Sequence, residues 1–394
     1  MSTQKVSDTL INSMTASKLT GALPAVDGSA LTGISGFPDT TSASDPAINT
    51  NPSAVGATWL NTTNSEIFVC TDKTVGANVW TNVGEGTGDV IPYNWGGTSY
   101  GYVYGGEPTS GARVGMVSTF SLTTDGDSTQ PAGLTQSVTR SNYTGNSSLT
   151  HGYCMGGSTG TASDVIDRFA FANEGGGMSD VGNLSSAKEY LTSAGNEYHA
   201  WITIATAINK LNYVSGGSAN LQSANLVSSA NSYASSSSST HGYSMGGWAG
   251  GPHSNSIEKY IFATDTDSVD VGDMSMAPAM NNGLSSSTHG YSCGGYPDGP
   301  GGGADSAFNG QDKFSFSSDA ITLNIGTLSD GKFSCGAVSS TTYGYLAGGH
   351  PASSANGTVS KIQKIDFASD GNATSVGDLT RSPLTDKMGQ GSQV

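Results

Sequence analysis

A motif of eight residues, Thr-His-Gly-Tyr-x-x-Gly-Gly, occurs three times in this chain, at 150–157, 240–247 and 288–295. Looser copies lie at 100–106 and 343–349, and a sixth at 199–205 has lost the glycine pair and carries tryptophan instead of tyrosine. The aromatic residues of the six copies follow one another at intervals of 42 to 54 residues: Tyr102, Tyr153, Trp201, Tyr243, Tyr291 and Tyr345. A period of about 50 residues predicts a repeat architecture.

A second element follows each copy and shows the broad alternation of apolar and polar residues that is typical of a β-strand. The six copies of this element lie at 117–122, 166–171, 208–213, 257–262, 312–316 and 362–367, and each precedes a turn and a Gly-Asp-Leu-like step. One repeat thus carries one small antiparallel sheet of about four strands, which is the unit of a β-propeller. The sequence predicts an all-β chain with a six-bladed propeller over residues 89–394.

The residues that recur in each copy of the motif have a physical role in such a ring. Glycines permit positive φ or a close backbone approach at a strand end, and the Tyr or Trp offers a flat apolar contact to the neighbouring blade. The segment 380–388 has no Gly-Tyr strand after it, so we expect the C-terminal tail to pair beside the strand of Tyr102. That overlap would cover the free strand edges.

Charge and composition limit the possible partners. Only 12% of the 394 residues are charged, and the net charge is −16. This removes the counterion release that drives nucleic-acid binding. We expect neither a secretory signal nor a membrane span, since no apolar run of the required length follows the first residues or occurs elsewhere. The four cysteines lack zinc-ligand spacing and are too few for a dense disulfide framework. We expect buried thiols, no nucleic-acid partner, no membrane insertion and assembly in a reducing cytoplasm.

The first 88 residues differ from the repeats. In the segment 1–38, Leu-Thr-Gly occurs at 19–21 and again at 31–33, with too little apolar surface to fold alone. We expect an extended attachment segment that orders in a homotrimer or against another protein. Residues 39–88 predict a linker and a small β module, with a hairpin at 56–72, a third strand at 79–83 and a core of Trp59 and Trp80.

These features resemble known protein families. The segment from Leu19 to Ile34 is similar to the N-terminal parts of tail-fibre and other appendage proteins of marine phages, and 56–83 is similar to small β modules of the same proteins. The repeats resemble kelch or galactose-oxidase-like propeller repeats, except that the third copy lacks the Gly-Gly pair. The resemblance implies a virion structural protein, assembled in the host cytoplasm, that contacts other phage structural proteins through residues 1–38.

Enzymatic activity is a competing hypothesis, because propellers host sialidases and copper oxidases. A sialidase-like site clamps a carboxylate with three arginines, but this chain has only Arg113, Arg140, Arg168 and Arg381, and Arg168 lies at a repeat position that holds lysine elsewhere. No constellation of two histidines and tyrosines fits a copper radical site. We therefore predict no catalytic residues, no cofactor and no enzymatic activity.

Histidines and acids could indicate a metal site. His151, His199, His241 and His289 share one repeat position, and we favour a strand-end packing role for them over a ring of ligands. His253 and His350 are predicted in loops. The acidic runs at 125–127 and 265–273 lack the EF-hand pattern, so they predict solvated turn acids, as does Asp370. We predict no metal site.

Long loops between strands are the best candidates for binding. Their tips carry Trp248, His253 and Tyr296, which could stack on a sugar or a peptide, or could simply cover one end of the propeller. The serine run 235–239 indicates no role. The function we predict is a phage virion protein, a tail fibre or similar appendage, that recognises a host surface glycan or protein. The alternative is a passive head-fibre, neck or decoration protein, and a glycan-active propeller enzyme is a third hypothesis.

Overall fold

The computed structural model describes residues 37–83, 97, 99–107, 112–228, 231, 233–248, 251–297, 308–351, 360–380 and 392–393. The chain divides into two compact units, 1–92 and 93–394. Across the described residues the fold is all-β: they contain no α-helix, only a 3-10 turn at Glu174–Gly176, and no helix with the length and hydropathy needed to cross a membrane. The attachment segment predicted at 1–38 lies almost entirely outside them.

The first unit is a four-stranded sheet. Its strands, in the order of the sheet, are β1 (Thr40–Ser42), β2 (Thr58–Asn61), β3 (Glu66–Asp72) and β4 (Val79–Asn82). β1 pairs with β2 in parallel, and the other pairs are antiparallel. The rings of Trp59 and Trp80 meet edge to face, 6.0 Å apart, beside buried Phe68 and Cys70. The predicted hairpin, third strand and tryptophan core are confirmed.

The second unit consists mainly of consecutive antiparallel sheets, which we name sheets 1 to 6. Sheet 1 has β5 (Tyr100–Val103) and β6 (Ser118–Ser121). Sheet 2 has β7 (Thr144–Ser147), β8 (His151–Met155), β9 (Val165–Ala170) and β10 (Ser179–Asn183). Sheet 3 has β11 (Thr192–Gly195), β12 (His199–Ile204), β13 (Ala207–Asn212) and β14 (Asn220–Asn225).

The remaining three sheets follow the same plan. Sheet 4 has β15 (Ala234–Ser237), β16 (His241–Met245), β17 (Ser256–Ile261) and β18 (Val269–Asp273). Sheet 5 has β19 (Pro278–Ala279), β20 (Asn282–Ser285), β21 (His289–Pro297), β22 (Phe308–Ser315) and β23 (Ile321–Thr327). Sheet 6 has β25 (Gly336–Ser339), β26 (Tyr343–Ala347), β28 (Lys361–Asp366) and β29 (Thr374–Asp378), beside a separate pair of β24 (Lys332–Phe333) and β27 (His350–Pro351).

Each of these sheets is assembled in chain order and lies against the next. In sheets 2 to 6 the strand before the motif strand, which we call the first strand, contacts the first strand of the next sheet, from β7 to β11, β15, β20 and β25. β25 in turn contacts β5, the motif strand of sheet 1. The last strand, β30 (Ser392–Gln393), pairs antiparallel with β5, with Ser392 opposite Tyr102. The chain end thus pairs beside Tyr102, but through residues 392–393; of the segment 380–388, for which this pairing was expected, residues 381–388 lie outside the described part of the chain.

The repeated aromatic residue packs between neighbouring sheets. In five copies its ring stacks on the ring that follows the third strand of the next sheet, with centroids 3.8–5.3 Å apart: Tyr102–Phe171, Tyr153–Tyr213, Trp201–Phe262, Tyr243–Phe316 and Tyr291–Phe367. In the sixth copy, the Tyr345 hydroxyl donates to the carbonyl of Leu122 in sheet 1, 3.1 Å away. The predicted role of these rings as contacts between repeats is confirmed.

The motif glycines are required for two different reasons. The glycine pair that follows β8 has positive φ, 67° at Gly156 and 100° at Gly157, in a region that other residues rarely adopt. The glycine before the motif tyrosine instead lies under an aromatic ring. A Cβ at Gly242 would be 2.3 Å from Cζ of Tyr260. The backbone conformation therefore requires glycine at the Gly-Gly pair, and the close packing of a ring requires it before the motif tyrosine.

The third strand departs from the predicted alternation, because its polar residue is also buried. Asp167, Asn209, Glu258, Asp312 and Gln363 occupy this position and are at most 4% exposed. Each accepts a backbone N–H from the connection that leads into its own sheet: Glu258, for example, accepts from Val227 and Ser228 at 2.9 and 2.8 Å. A buried N–H without a partner is costly, so this position is polar although it is inside.

The serine run 235–239, for which the sequence indicated no role, begins within β15, a first strand packed between two neighbours. The Ser235 hydroxyl donates to the carbonyl of Ser193 in sheet 3, and the Ser236 hydroxyl donates to the carbonyl of Leu284 in sheet 5. The Ser237 hydroxyl accepts the N–H of Gly195, 3.0 Å away. Small hydroxyl side chains therefore join three adjacent sheets where larger ones would not fit.

All four cysteines are buried and unpaired by disulfides, which confirms the expectation of buried thiols. Burial raises the pKa of the Cys154 thiol to about 12, and it also raises the pKa values of Cys70, Cys293 and Cys335. The reactive species is the thiolate, so a raised pKa and a closed environment both protect the sulfur.

We expect Ellman's reagent at pH 8 to leave the thiols of the folded protein unmodified for as long as the fold persists. In guanidinium chloride the same sample should titrate as four thiols per chain, because unfolding exposes them and restores ordinary pKa values. The absorbance of the released thionitrobenzoate measures the number of labelled thiols in the native and in the unfolded sample. Rapid labelling of the native protein would contradict the burial of these side chains.

Candidate functional site

The predicted loop residue Trp248 lies directly after the glycine pair that ends β16. Its backbone exchanges two hydrogen bonds with Asn231, 2.8 and 2.9 Å long, and it also forms a bridge with His253. The side chain is 46% exposed, which is high for a tryptophan. A fixed backbone thus presents a large ring to solvent. Residues 249–250 and 298–307 of the two candidate loops lie outside the described residues.

The other two predicted residues come together in space. The rings of His253 and Tyr296 are 6.2 Å apart, although 43 positions separate them in the sequence. Tyr296 in turn meets Phe333 edge to face at 5.6 Å, and Phe333 stacks on His350 at 4.7 Å. We name these four residues the aromatic ladder. It runs across sheets 4, 5 and 6 beside Trp248.

Two residues of the aromatic ladder were not predicted from the sequence as candidate binding residues. Phe333 was not singled out, and His350, predicted in a loop, lies in β27, where it pairs with Phe333 of β24. A signal was present: in the last three repeats the residue after the glycine pair is Trp248, Tyr296 and His350. Because the repeats are equivalent, these three positions are expected to lie at one end of neighbouring sheets.

The chemistry of the ladder is that of a binding surface. Flat rings with polar edges make large contacts with little loss of conformational entropy, and they can accept a hydrogen bond at the same time. His253, Tyr296 and His350 are partly buried, whereas Phe333 is buried. No group of three or more His, Cys, Asp or Glu side chains in the described ranges is placed to hold a metal ion.

Three of the four histidines at the strand starts behave as the repeat predicted, whereas Nε2 of the fourth, His199, lies 3.2 Å from the amide nitrogen of Asn212. In His151, His241 and His289, Nδ1 lies 2.8–2.9 Å from the hydroxyl of the preceding threonine. Each ring is tilted against its motif tyrosine, with centroids 6.4–6.5 Å apart. Burial lowers the pKa of all three, which favours the neutral form. Identical contacts in three sheets confirm a packing role.

The sequence pattern predicts solvated turn acids, but in the structure these carboxylates have protein partners. The Asp265 carboxylate accepts the N–H groups of Ser223 and Ala224 in sheet 3 and the hydroxyl of Ser223, and the hydroxyl bond is the main reason why its pKa is lowered. Asp370 forms an ion pair with Lys313 of sheet 5. These carboxylates hold neighbouring sheets together, and they had no visible partner in the sequence.

The arginines considered for a sialidase-like clamp have separate surroundings. Arg113 lies 3.4 Å from Glu107, and Arg140 lies 2.7 Å from Asp167, with both side chains of the second pair fully buried. Arg168 lies in β9, and Arg381 is outside the described residues. Arg140 is already engaged by a carboxylate and by two backbone carbonyls, so it is closed to a ligand.

No protein-family model and no curated protein matches this chain. The resemblance to phage appendage proteins and to kelch-like repeats therefore stays a prediction.

Proposed function

We propose that sheets 1 to 6 close into a six-bladed β-propeller. The contacts between sheet 6 and sheet 1 support this. Lys364 pairs with Asp125 at 2.7 Å, the N–H of Asp378 donates to the Asp127 carboxylate at 2.9 Å, and Ser128 donates to the Asp378 carbonyl. β30, which completes sheet 1, also contacts β7 of sheet 2. A closed ring leaves no long free strand edge.

We further propose that the chain is a non-enzymatic bacteriophage virion protein, a tail fibre or similar appendage. Two features support an appendage: the repeated Leu-Thr-Gly segment within residues 1–38, and the small module built on Trp59 and Trp80. The segment would attach to other phage structural proteins and would order as a homotrimer or against its partner. The ring would then be displayed away from the particle.

The observation that carries a binding role is the aromatic ladder with Trp248 beside it. Trp248 is half-exposed, and its hydrogen-bonded backbone forms a bridge with His253 of the ladder, so the site offers preformed aromatic groups. Such surfaces bind a sugar face or a peptide side chain, because aromatic anchors dominate the energetics of recognition. We propose a host surface glycan or protein as the partner.

The test is the binding of fluorescently labelled full-length protein to intact candidate host cells, in competition with whole phage. We expect saturable binding that blocks infection, and about tenfold or weaker binding for Trp248→Ala, since the loss of an anchor residue costs about 1.4 kcal/mol or more. Tyr198→Ala is the matched control: Tyr198 is 54% exposed but precedes β12, at the other end of the equivalent strand.

The outcomes separate the candidate functions. Equal binding by the two variants would remove Trp248 from the recognition surface. A wild-type protein that binds no cell yet co-purifies with particles would be a passive head-fibre, neck or decoration protein. Shortening of the host polysaccharide by the purified protein would instead indicate a glycan-active enzyme.

A further inference from the structure

The strand residue opposite each motif aromatic is a cation in five of the six repeats. The cross-strand pairs are Tyr153–Arg168, Trp201–Lys210, Tyr243–Lys259, Tyr291–Lys313 and Tyr345–Lys364. In sheet 1 the corresponding pair is Tyr102–Thr119. Each cation lies on the side of its sheet that faces the next sheet. The residues in the turn of that next sheet therefore determine whether the cation has a carboxylate partner.

Three of these cations have a carboxylate partner in the next sheet. Lys259 lies 2.8 Å from Asp319, Lys364 lies 2.7 Å from Asp125, and Lys313 pairs with Asp370. The partner stands three residues after the large apolar residue that follows the third strand. Across the six sheets that turn position reads Asp125, Glu174, Gly216, Asp265, Asp319 and Asp370. The exception, Gly216, belongs to sheet 3, which faces Arg168.

The turn at Gly216 has the backbone conformation of the turns at Asp319 and Asp370 and lacks their acid. Its φ is 62°, close to 55° at Asp319 and 53° at Asp370. A Cβ placed on Gly216 would lie 3.8 Å from Nη1 of Arg168 and would meet no closer atom. Within the described residues, no carboxylate forms an ion pair with Arg168. The neighbouring Tyr153 hydroxyl is neutral, since burial raises its pKa.

A cavity of about 230 Å³ adjoins this arginine. His151, Asn173 and Ser179 line it together with Arg168, and its other lining residues are Phe169, Ala170, Gly176 and Gly177. These side chains offer a guanidinium fork, an imidazole, an amide and a hydroxyl. These hydrogen-bond donors suit an anion, and the planar guanidinium of Arg168 matches the geometry of a carboxylate best. The volume is below the range of drug-sized pockets.

We propose that Arg168 and the adjoining cavity bind the carboxylate of a small acidic ligand, no larger than a single acidic sugar, in the place that Asp319 and Asp370 fill in the other sheets. The inference does not rest on the function proposed above, because the cavity lies at the start of β8, whereas Trp248 follows the end of the equivalent strand β16.

The test is isothermal titration calorimetry of the full chain with sodium D-glucuronate and with sodium acetate. Glucuronate should bind with saturation, and neutral D-glucose should not bind. Arg168→Gln removes the guanidinium, and Gly216→Asp supplies an internal carboxylate in the conformation that Asp319 and Asp370 adopt at two of the equivalent turns. Both variants should bind glucuronate at least about tenfold more weakly.

The control is Gly76→Asp, which adds the same charge in the first unit at φ 74°, with no atom near the new Cβ. It should bind like the wild type, and circular dichroism should show that all variants are folded. Three results would overturn the proposal: no heat with either carboxylate, undiminished binding by Gly216→Asp, or tighter binding of inorganic phosphate than of glucuronate. The Gly216 variant keeps the test valid even if Arg168→Gln fails to fold.

Discussion

Replacement of Asp167 by alanine is expected to lower the free energy of unfolding by about 3–5 kcal/mol, because it leaves the guanidinium of Arg140 buried without a counter-charge. Nη2 of Arg140 lies 2.7 Å from Asp167, and both side chains are 0% exposed. The carboxylate also accepts the N–H and the hydroxyl of Ser137. Urea unfolding followed by tryptophan fluorescence measures the change.

The control for this variant removes a carboxylate that is exposed. Asp273→Ala, at the end of β18, should change the stability by no more than about 0.5 kcal/mol. If the two variants were equally stable, the Arg140–Asp167 pair would contribute little to the fold. If Asp167→Asn were as unstable as the alanine variant, the loss would arise from the missing charge rather than from the cavity.

The second large effect is expected for Gly283→Ala, in the first strand of sheet 5. A Cβ at this position would lie 1.9 Å from the carbonyl oxygen of Ser235 and 2.6 Å from its carbonyl carbon. Both atoms are backbone of the neighbouring sheet, so relief requires the two strands to separate. We expect a loss of about 3 kcal/mol, at the upper end of the usual cost of overpacking.

Gly251→Ala is the comparison, since a Cβ there meets no atom within 4 Å. Its thermal midpoint should stay near that of the wild type, while that of Gly283→Ala should fall by several degrees. A Gly283 variant as stable as wild type would mean that the first strands of sheets 4 and 5 are not in direct contact. The same pair of variants therefore tests the packing of neighbouring repeats.

Much of the strand pattern could be predicted from the sequence. The copies of the Gly-Tyr motif and of the element after it predicted the second and third strands, because their constraints are local: positive φ at Gly156 and Gly157, and a ring above Gly242. The first strands were missed. Their Ser, Gly, Ala and Asn residues are typical of loops, and only a neighbouring sheet makes them strands.

The candidate binding residues were predicted in part for the same reason. Trp248, His253 and Tyr296 were visible as aromatic residues in long loops. Phe333 and His350 were not, since their pairing joins β24 and β27, and the strands β25 and β26 lie between these two in the chain. A ring-to-ring contact between distant segments cannot be inferred from either segment alone.

The sequence by itself determined the repeat, its second and third strands, the glycine positions and the aromatic contacts, because each depends on the backbone conformation or bulk of one residue type. The tertiary structure decided the partners of polar groups. Glu258 is buried because it satisfies the N–H groups of Val227 and Ser228, and Asp370 is paired because Lys313 faces it from the preceding sheet. A polar side chain gains such a partner only when neighbouring sheets are in place, so no local pattern could reveal it.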